Sequence, residues 1–354
     1  LFRSLSGAVM FTTKDPSDFL KASGNDSFGS VKYGYTGSSD ENMGSLTFAN
    51  RTGRFESLLV YTKRDGHETE SWYDTTRAQL GPDRRTPDPV DRESDNLLAK
   101  VNFLATDTQT LGIVYERARA TNDVDNWTRS DGVGSYYFRS AEDRSDRDRY
   151  GLKYTWRANN ALFDSLEATA DHQKNYIQGQ TNVLVANGTA ATYGTRCSVA
   201  APCARQEDRW DTQKRNRVAL DFDKSIEAGG VRHDLVYGAA WQQAKIHWNS
   251  VDTRWGNDGS LFTRDTDPSL WPDTKETDLT AYVRDRVRLL DDRLSLTGGL
   301  RYDSYKYTPE TSAGGNGDSG YVDDGGSVGT SKFAAPTWNL GAEFKFTDTQ
   351  SLWT

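Results

Sequence analysis

Apolar and polar residues alternate along this chain with a period of two, the periodicity of pleated strands with two unlike faces. Leu97, Ala99, Val101, Phe103 and Ala105 alternate with Asn96, Lys100 and Asn102. Tyr150, Leu152, Tyr154 and Trp156 alternate with Arg149, Lys153, Thr155 and Arg157. Segments 235–241, 294–302 and 338–346 repeat the pattern. It predicts strands near 28–37, 45–52, 55–64, 95–106, 109–117, 147–157, 165–174, 216–224, 232–243, 276–288, 294–303 and 336–346, with another starting at 351. A sandwich would bury the apolar set in a shared core, whereas a membrane barrel would turn it to lipid and the polar set to a lumen.

Connection lengths separate the two. Short links (52–54, 106–108, 158–164, 225–231, 289–293, 347–350) alternate with long ones at 65–94, 118–146, 175–215, 244–275 and 304–335. Structureless loops beyond about 15 residues are uncommon in compact domains. Here one follows every second strand, so the two ends of the sheet are built differently: tight turns on one side of a bilayer, long loops on the other. Strands of about 9–11 residues also suit a tilted bilayer crossing. The expected fold is all-β, a transmembrane antiparallel barrel.

Composition agrees. Only 35% of the 354 residues are hydrophobic and mean hydropathy is -0.78, yet there are 10 Trp, 17 Tyr and 31 Gly. Disordered chains lack such aromatics. No run approaches the apolar length of a spanning helix. A net charge of -8 argues against a nucleic-acid partner. Trp156, Trp241 and Trp338 suit the interfacial girdle of a barrel. Arg149, Arg157, Arg284, Arg286 and Arg301 fall on the lumenal parity.

No catalytic constellation emerges, so an enzyme is not expected. His67, His172, His233 and His247 share no metal-binding spacing, and there is no Gly-x-Ser-x-Gly elbow. Cys197 and Cys203 match no zinc or Cys-x-x-Cys pattern and read as a local disulfide in an extracellular loop. The acidic runs, such as Asp83 to Asp95 and Asp318, Asp323 and Asp324, lack EF-hand spacing and read as solvated loop charge. No metal site is expected. His172 and His233 read as rim residues, while His67 and His247 lie where long loops begin, near Trp72, Tyr73 and Trp248.

The segment Gly7-Ala8-Val9-Met10-Phe11-Thr12-Thr13-Lys14-Asp15-Pro16-Ser17-Asp18-Phe19-Leu20 resembles the end of the plug domain of TonB-dependent outer-membrane receptors, in the haem and haemoglobin branch. Gly299-Leu300-Arg301-Tyr302-Asp303 is similar to a barrel strand common across that superfamily. The resemblance implies that residues 1–26 are the end of the plug and its junction, and 27–354 the first part of a 22-stranded barrel, with about twelve strands present. The chain would then be a piece of a longer protein. Its plug start, its TonB box, and the Phe-Arg-Ala-Pro and Asn-Pro-Asn-Leu motifs of the branch would lie beyond it.

By the same resemblance, the receptor would sit in the outer membrane of a Gram-negative cell among its lipids. It would take up haem from a haem-carrier protein and draw energy from the TonB–ExbB–ExbD complex. Haem would be cargo, with no permanently bound cofactor. Imidazole can ligate haem iron and a porphyrin favours aromatic neighbours, which makes His67 and His247 candidate accessory ligand-binding residues. A ferric-siderophore receptor and a passive porin-like channel are the alternatives.

Overall fold

A computed structural model of the chain describes residues 12–70, 80–134, 136–267, 272–310, 329–347 and 349–354. Gly7 to Phe11, Trp72, Tyr73, Asp318, Asp323 and Asp324 lie outside the described residues. The chain forms β1 (Asp26–Thr36), β2 (Glu41–Thr52), β3 (Phe55–Gly66), β4 (Val90–Leu104), β5 (Gln109–Asp125), β6 (Phe138–Arg157) and β7 (Ser165–Val185). A short helix α1 (Ala190–Tyr193) follows, then β8 (Cys203–Ala228), β9 (Val231–Trp255), β10 (Leu261–Asp267), β11 (Asp273–Leu289), β12 (Leu294–Glu310), β13 (Ser331–Thr347) and β14 (Gln350–Trp353). All fourteen strands belong to one antiparallel sheet, each strand beside the next, except that β10 pairs only with β9 and β11 takes its place against β9. No described helix is long and apolar enough to cross a membrane.

Register divides the sheet into two faces. Leu152 pairs with Ala170, Ala170 with Val218, Val218 with Trp241, and Trp241 with Leu279. Apart from the half-buried Ala170, this row is exposed although apolar: Leu152 is 52% and Leu279 48% accessible. Among the described residues no second layer covers it, which in water would be an aggregation hazard and in a bilayer is the lipid-facing wall. The opposite face is charged. There Arg149 bonds Glu116 at 2.8 Å and Asp171 at 2.6 Å, and Arg301 bonds Asp303 at 2.8 Å.

The apolar band runs obliquely across the strands. Register partners lead from Leu97 through Arg117, Asp148, Lys174, Lys214, Lys245 and Lys275 to Thr308. In β12 the band's outer edge is Tyr302, six residues short of Thr308, or about 20 Å at a strand's rise. Seven strand spacings cover about 34 Å, so the band crosses the strands about 30° from the register rows. Barrel closure requires a tilt of that size.

The N-terminal segment marks the lumenal face. Phe19 and Leu20 pack with Phe28, Ala49, Leu58, Val60 and Leu98, all on the face opposite the lipid wall. Lys100 Nζ donates to Asp15 Oδ1 (2.8 Å) and to the Thr13 carbonyl (3.3 Å). Arg51 pairs with Glu56 at 2.7 Å, both side chains under a tenth exposed, and donates to the carbonyl of Lys21.

The strands outrun the segments predicted from alternation. β8 has 26 residues and β9 has 25, joined by Gly229 and Gly230, both at positive φ, which suits a tight turn that matches sheet twist. Their outer halves, and all of β10, lie in stretches expected to be loops. Both faces are wet there, so apolar alternation disappears while the backbone ladder continues.

Leu152→Arg and Leu220→Arg are each expected to lower unfolding stability in a bilayer by about 2–4 kcal/mol. Lys153→Arg, on the lumenal face and paired with Glu167 at 2.8 Å, is expected to change it by less than about 0.5 kcal/mol. Equal losses on both faces would contradict the assignment of inside and outside.

Candidate functional site

A tilted crossing consumes about 9–11 residues of each strand. In β6 to β9, of 20, 21, 26 and 25 residues, the remainder stands beyond the apolar band as a raised wall. A charge cluster centred on one cross-strand ion pair ties the β8 and β9 extensions together. Arg205 donates to Asp252 at 2.7 Å and also pairs with Glu207, and Arg254 donates to Asp252 at 2.9 Å. Burial pushes the Asp252 carboxyl up, but the hydrogen bonds from Arg205 and Arg254 outweigh it and hold the group below its ordinary value.

The wall's tip is a small apolar knot. Val183, Val185, Tyr193, Cys197 and Cys203 cluster there. Cys197 and Cys203 are joined by a disulfide, with Cα atoms 5.4 Å apart. Gly194, at φ +74, ends α1 and lies against the Phe262 ring, so a side chain at that position would collide with it. Asn257 donates to the Arg196 carbonyl at 3.0 Å. Disulfide loop and β9–β10 hairpin thus form one cap.

Both candidate histidines lie on the outward parity. His67 follows β3 and its Nδ1 is 2.7 Å from Asp91. It lines a cavity of about 540 Å3 with Asp40, Glu68, Asp91, Asp123 and Glu142. His247 sits inside β9 rather than in a loop, and its Nδ1 is 2.7 Å from Asp273. The two imidazoles belong to separate hollows and are not brought together. Trp248, the next residue in β9, takes the opposite, lumenal parity. His172 bonds Asn216 at 2.8 Å, just outside the apolar band, and His233 bonds Asp285 at 2.7 Å near the other end of the sheet. No group of His, Cys, Asp and Glu among the described residues has the geometry to hold a metal ion.

On the lumenal face the polar side chains form a linked belt. Besides the Glu116–Arg149–Asp171 triad, Tyr282 Oη donates to Asp221 (2.5 Å), Arg286 pairs with Glu343 (3.1 Å), and Thr280 donates to Asp303 (2.7 Å). Sequence parity places Arg149, Arg286 and Arg301 on this face, but their partners come only from register. Lys100 and Arg51, which hold the N-terminal segment, carried no motif that would single them out.

A tilted apolar band, a charged lumen entered by the N-terminal segment and long outer extensions describe a receptor-type barrel. The family model for the TonB dependent receptor-like β-barrel matches residues 12–354. The chain belongs to that family. Its members are outer-membrane receptors and transporters, not enzymes. Among curated relatives, the hemoglobin-haptoglobin-binding protein A of Haemophilus influenzae is 28% identical over 180 residues, 48% of this chain and 17% of that protein. Hemoglobin-binding protein A of the same organism is 26% identical over 228 residues, 62% of this chain and 22% of its own length. The matches thus span about a fifth of those relatives. Among solved structures, the ferric preacinetobactin receptor BauA of Acinetobacter baumannii has a TM-score of 0.56 at 16% identity, covering 93% of this chain and 47% of that one. The copper transporter OprC has a TM-score of 0.57 at 13% identity, covering 93% and 44%. At such identities these structures establish the shared fold.

Two outcomes are expected of the wall. Cys197 and Cys203 in the exported protein should resist alkylation under denaturing, non-reducing conditions, and Cys197→Ser/Cys203→Ser should cost about 2 kcal/mol of local stability, by loop-closure entropy, read as faster proteolysis within 186–203. Two free thiols would contradict the pairing. Asp252 has a depressed folded value, so its contribution is full above the ordinary carboxylate pKa of about 4 and fades as pH falls through the lower folded value. Hydrogen exchange in the outer half of β9 should therefore accelerate only below about pH 4, and Asp252→Asn should abolish that acid step.

Proposed function

We propose that this chain is part of an outer-membrane receptor of a Gram-negative bacterium that takes up haem from a carrier protein of the haemoglobin kind, energised by the TonB–ExbB–ExbD complex. The observation that carries the ligand class is the set of curated relatives, named for binding hemoglobin or hemoglobin-haptoglobin at 26–32% identity. The ferric-siderophore receptors among the structural neighbours lie at 12–16% identity and support the barrel without bearing on the cargo.

Residues 1–26 serve as the end of the plug and its junction. The packing of Phe19 and Leu20 on the lumenal wall and the Lys100–Asp15 ion pair support this reading over an open porin-like channel. Transport through the lumen then requires the polar belt to exchange partners as the plug shifts. Such movement suits charge-assisted hydrogen bonds between surfaces, which can be remade on a new partner, better than close-packed apolar contacts.

His67 and His247 serve as accessory contacts. A carboxylate on Nδ1 fixes each ring and leaves Nε2 as the atom a ligand would meet. Their outward parity favours contact with the incoming carrier protein over passage of haem through the lumen.

The full-length receptor should let cells grow with haemoglobin as sole iron source. His67→Ala/His247→Ala should slow that growth and weaken carrier binding by about tenfold or less, without abolishing either. Growth on a ferric siderophore and never on haem or haemoglobin would overturn the haem assignment. Steady ion conductance through the intact receptor would overturn the plugged one.

A further inference from the structure

The outward face carries an arrangement that alternation alone does not reveal. Lys174 in β7 is the register partner of Lys214 in β8, Lys214 of Lys245 in β9, and Lys245 of Lys275 in β11. Four ammonium groups thus stand side by side on four adjacent strands, in a row about 14 Å long. Like charges directly opposite one another on a sheet repel, yet none of the four has an ion pair or side-chain hydrogen bond to another described residue. Asp148, the partner of Lys174 in β6, instead accepts from Tyr115 Oη at 2.9 Å. Asp273 and Glu310 line the outer side of the same hollow of about 370 Å3, one register step beyond the row, and Asp273 is engaged by His247.

The row is level with one boundary of the membrane. Each lysine stands four residues beyond the residue that ends its strand's unbroken apolar outward run: Ala170, Val218, Trp241 and Leu279. Four residues of tilted strand rise about 10 Å, into the headgroup layer, and a lysine stem can snorkel several Å back toward it. Lys306 and Lys332, themselves register partners in β12 and β13, continue the arc one step lower. Six of the chain's fourteen lysines therefore lie in this arc. Over β4 to β6 the same level is self-neutralised: Arg117 pairs with Asp95 at 2.6 Å and Arg144 with Asp146 at 2.7 Å.

We propose that the lysine arc on β7, β8, β9 and β11, extended by Lys306 and Lys332, seats the phosphorylated headgroups of outer-leaflet lipid. A phosphate placed between neighbouring lysines supplies the missing counter-charge and turns a repulsive row into an attractive one. This depends on the barrel's place in the membrane and not on its cargo.

The test uses the full-length receptor in non-ionic detergent, stripped of lipid and titrated with bisphosphorylated lipid A or its phosphate-free form, retained lipid being counted by native mass spectrometry. The phosphorylated lipid should be retained and the phosphate-free one lost. Lys174→Gln/Lys214→Gln/Lys245→Gln/Lys275→Gln should lower retention at least about fivefold, whereas Lys153→Gln/Lys224→Gln, at paired positions away from the arc, should not. Equal retention of the two lipids, or undiminished retention by the quadruple variant, would overturn the proposal. If that variant does not fold, the unaltered receptor decides: about 0.5 M salt, which shortens screening to about 4 Å, should release the phosphorylated lipid, and salt-independent retention would overturn it. Displacement by millimolar inorganic phosphate would show a site for the free ion instead of lipid.

Discussion

Hydrocarbon offers no hydrogen bonds, so every backbone N–H and C=O that enters it must be satisfied by the chain itself. This constraint shapes the whole molecule. Where the chain spans with strands, it requires a continuous antiparallel ladder, and the period-two pleat of that ladder then sorts each side chain to lipid or lumen. Leu152, Ala170, Val218, Trp241 and Leu279 can form an exposed apolar row because lipid, not a second sheet, covers it. The oblique run of the band follows, since a ladder closes on itself only if its strands tilt.

Beyond the hydrocarbon the ladder continues for a different reason. In the outer halves of β8 and β9 water could satisfy the backbone, so side chains must favour the strand. The cross-strand ion pair Arg205–Asp252 does so, buttressed by Glu207 and Arg254 within their own strands, and the Cys197–Cys203 disulfide closes the tip. In the lumen, Glu116, Arg149 and Asp171 satisfy one another within the wall, while Lys100 and Arg51 reach across to the N-terminal segment. On the outward headgroup level of β7 to β13, by contrast, six lysines stand side by side with no ion pair among the described residues.

What the sequence discloses follows from which face is wet. Leu235, Tyr237, Ala239 and Trp241 announce their strand because one neighbour environment is lipid and the other is water. In the stretch from Cys203 to Arg215 both faces are wet, the residues are nearly all polar, and no alternation marks the strand. His247 was therefore expected in a loop, although it stands in β9. The same blindness hid the lysine row, whose members are 30 to 40 residues apart in sequence and meet only through register. The long loops, by contrast, disclosed the sidedness of the barrel through their lengths alone.

The central claim is that one wall of this sheet faces lipid and the other an aqueous lumen. Spin labels placed singly along β9, at residues 235 to 247 of the full-length receptor in bilayers, test it most directly. Labels at Leu235, Tyr237, Ala239 and Trp241 should be relaxed by oxygen dissolved in the hydrocarbon, those at Val236, Gly238, Ala240 and Gln242 should not, and the label at His247 should respond to a water-soluble nickel complex. Accessibility that rises smoothly along β9 without a period of two, or oxygen contact on the even-numbered positions, would contradict the account.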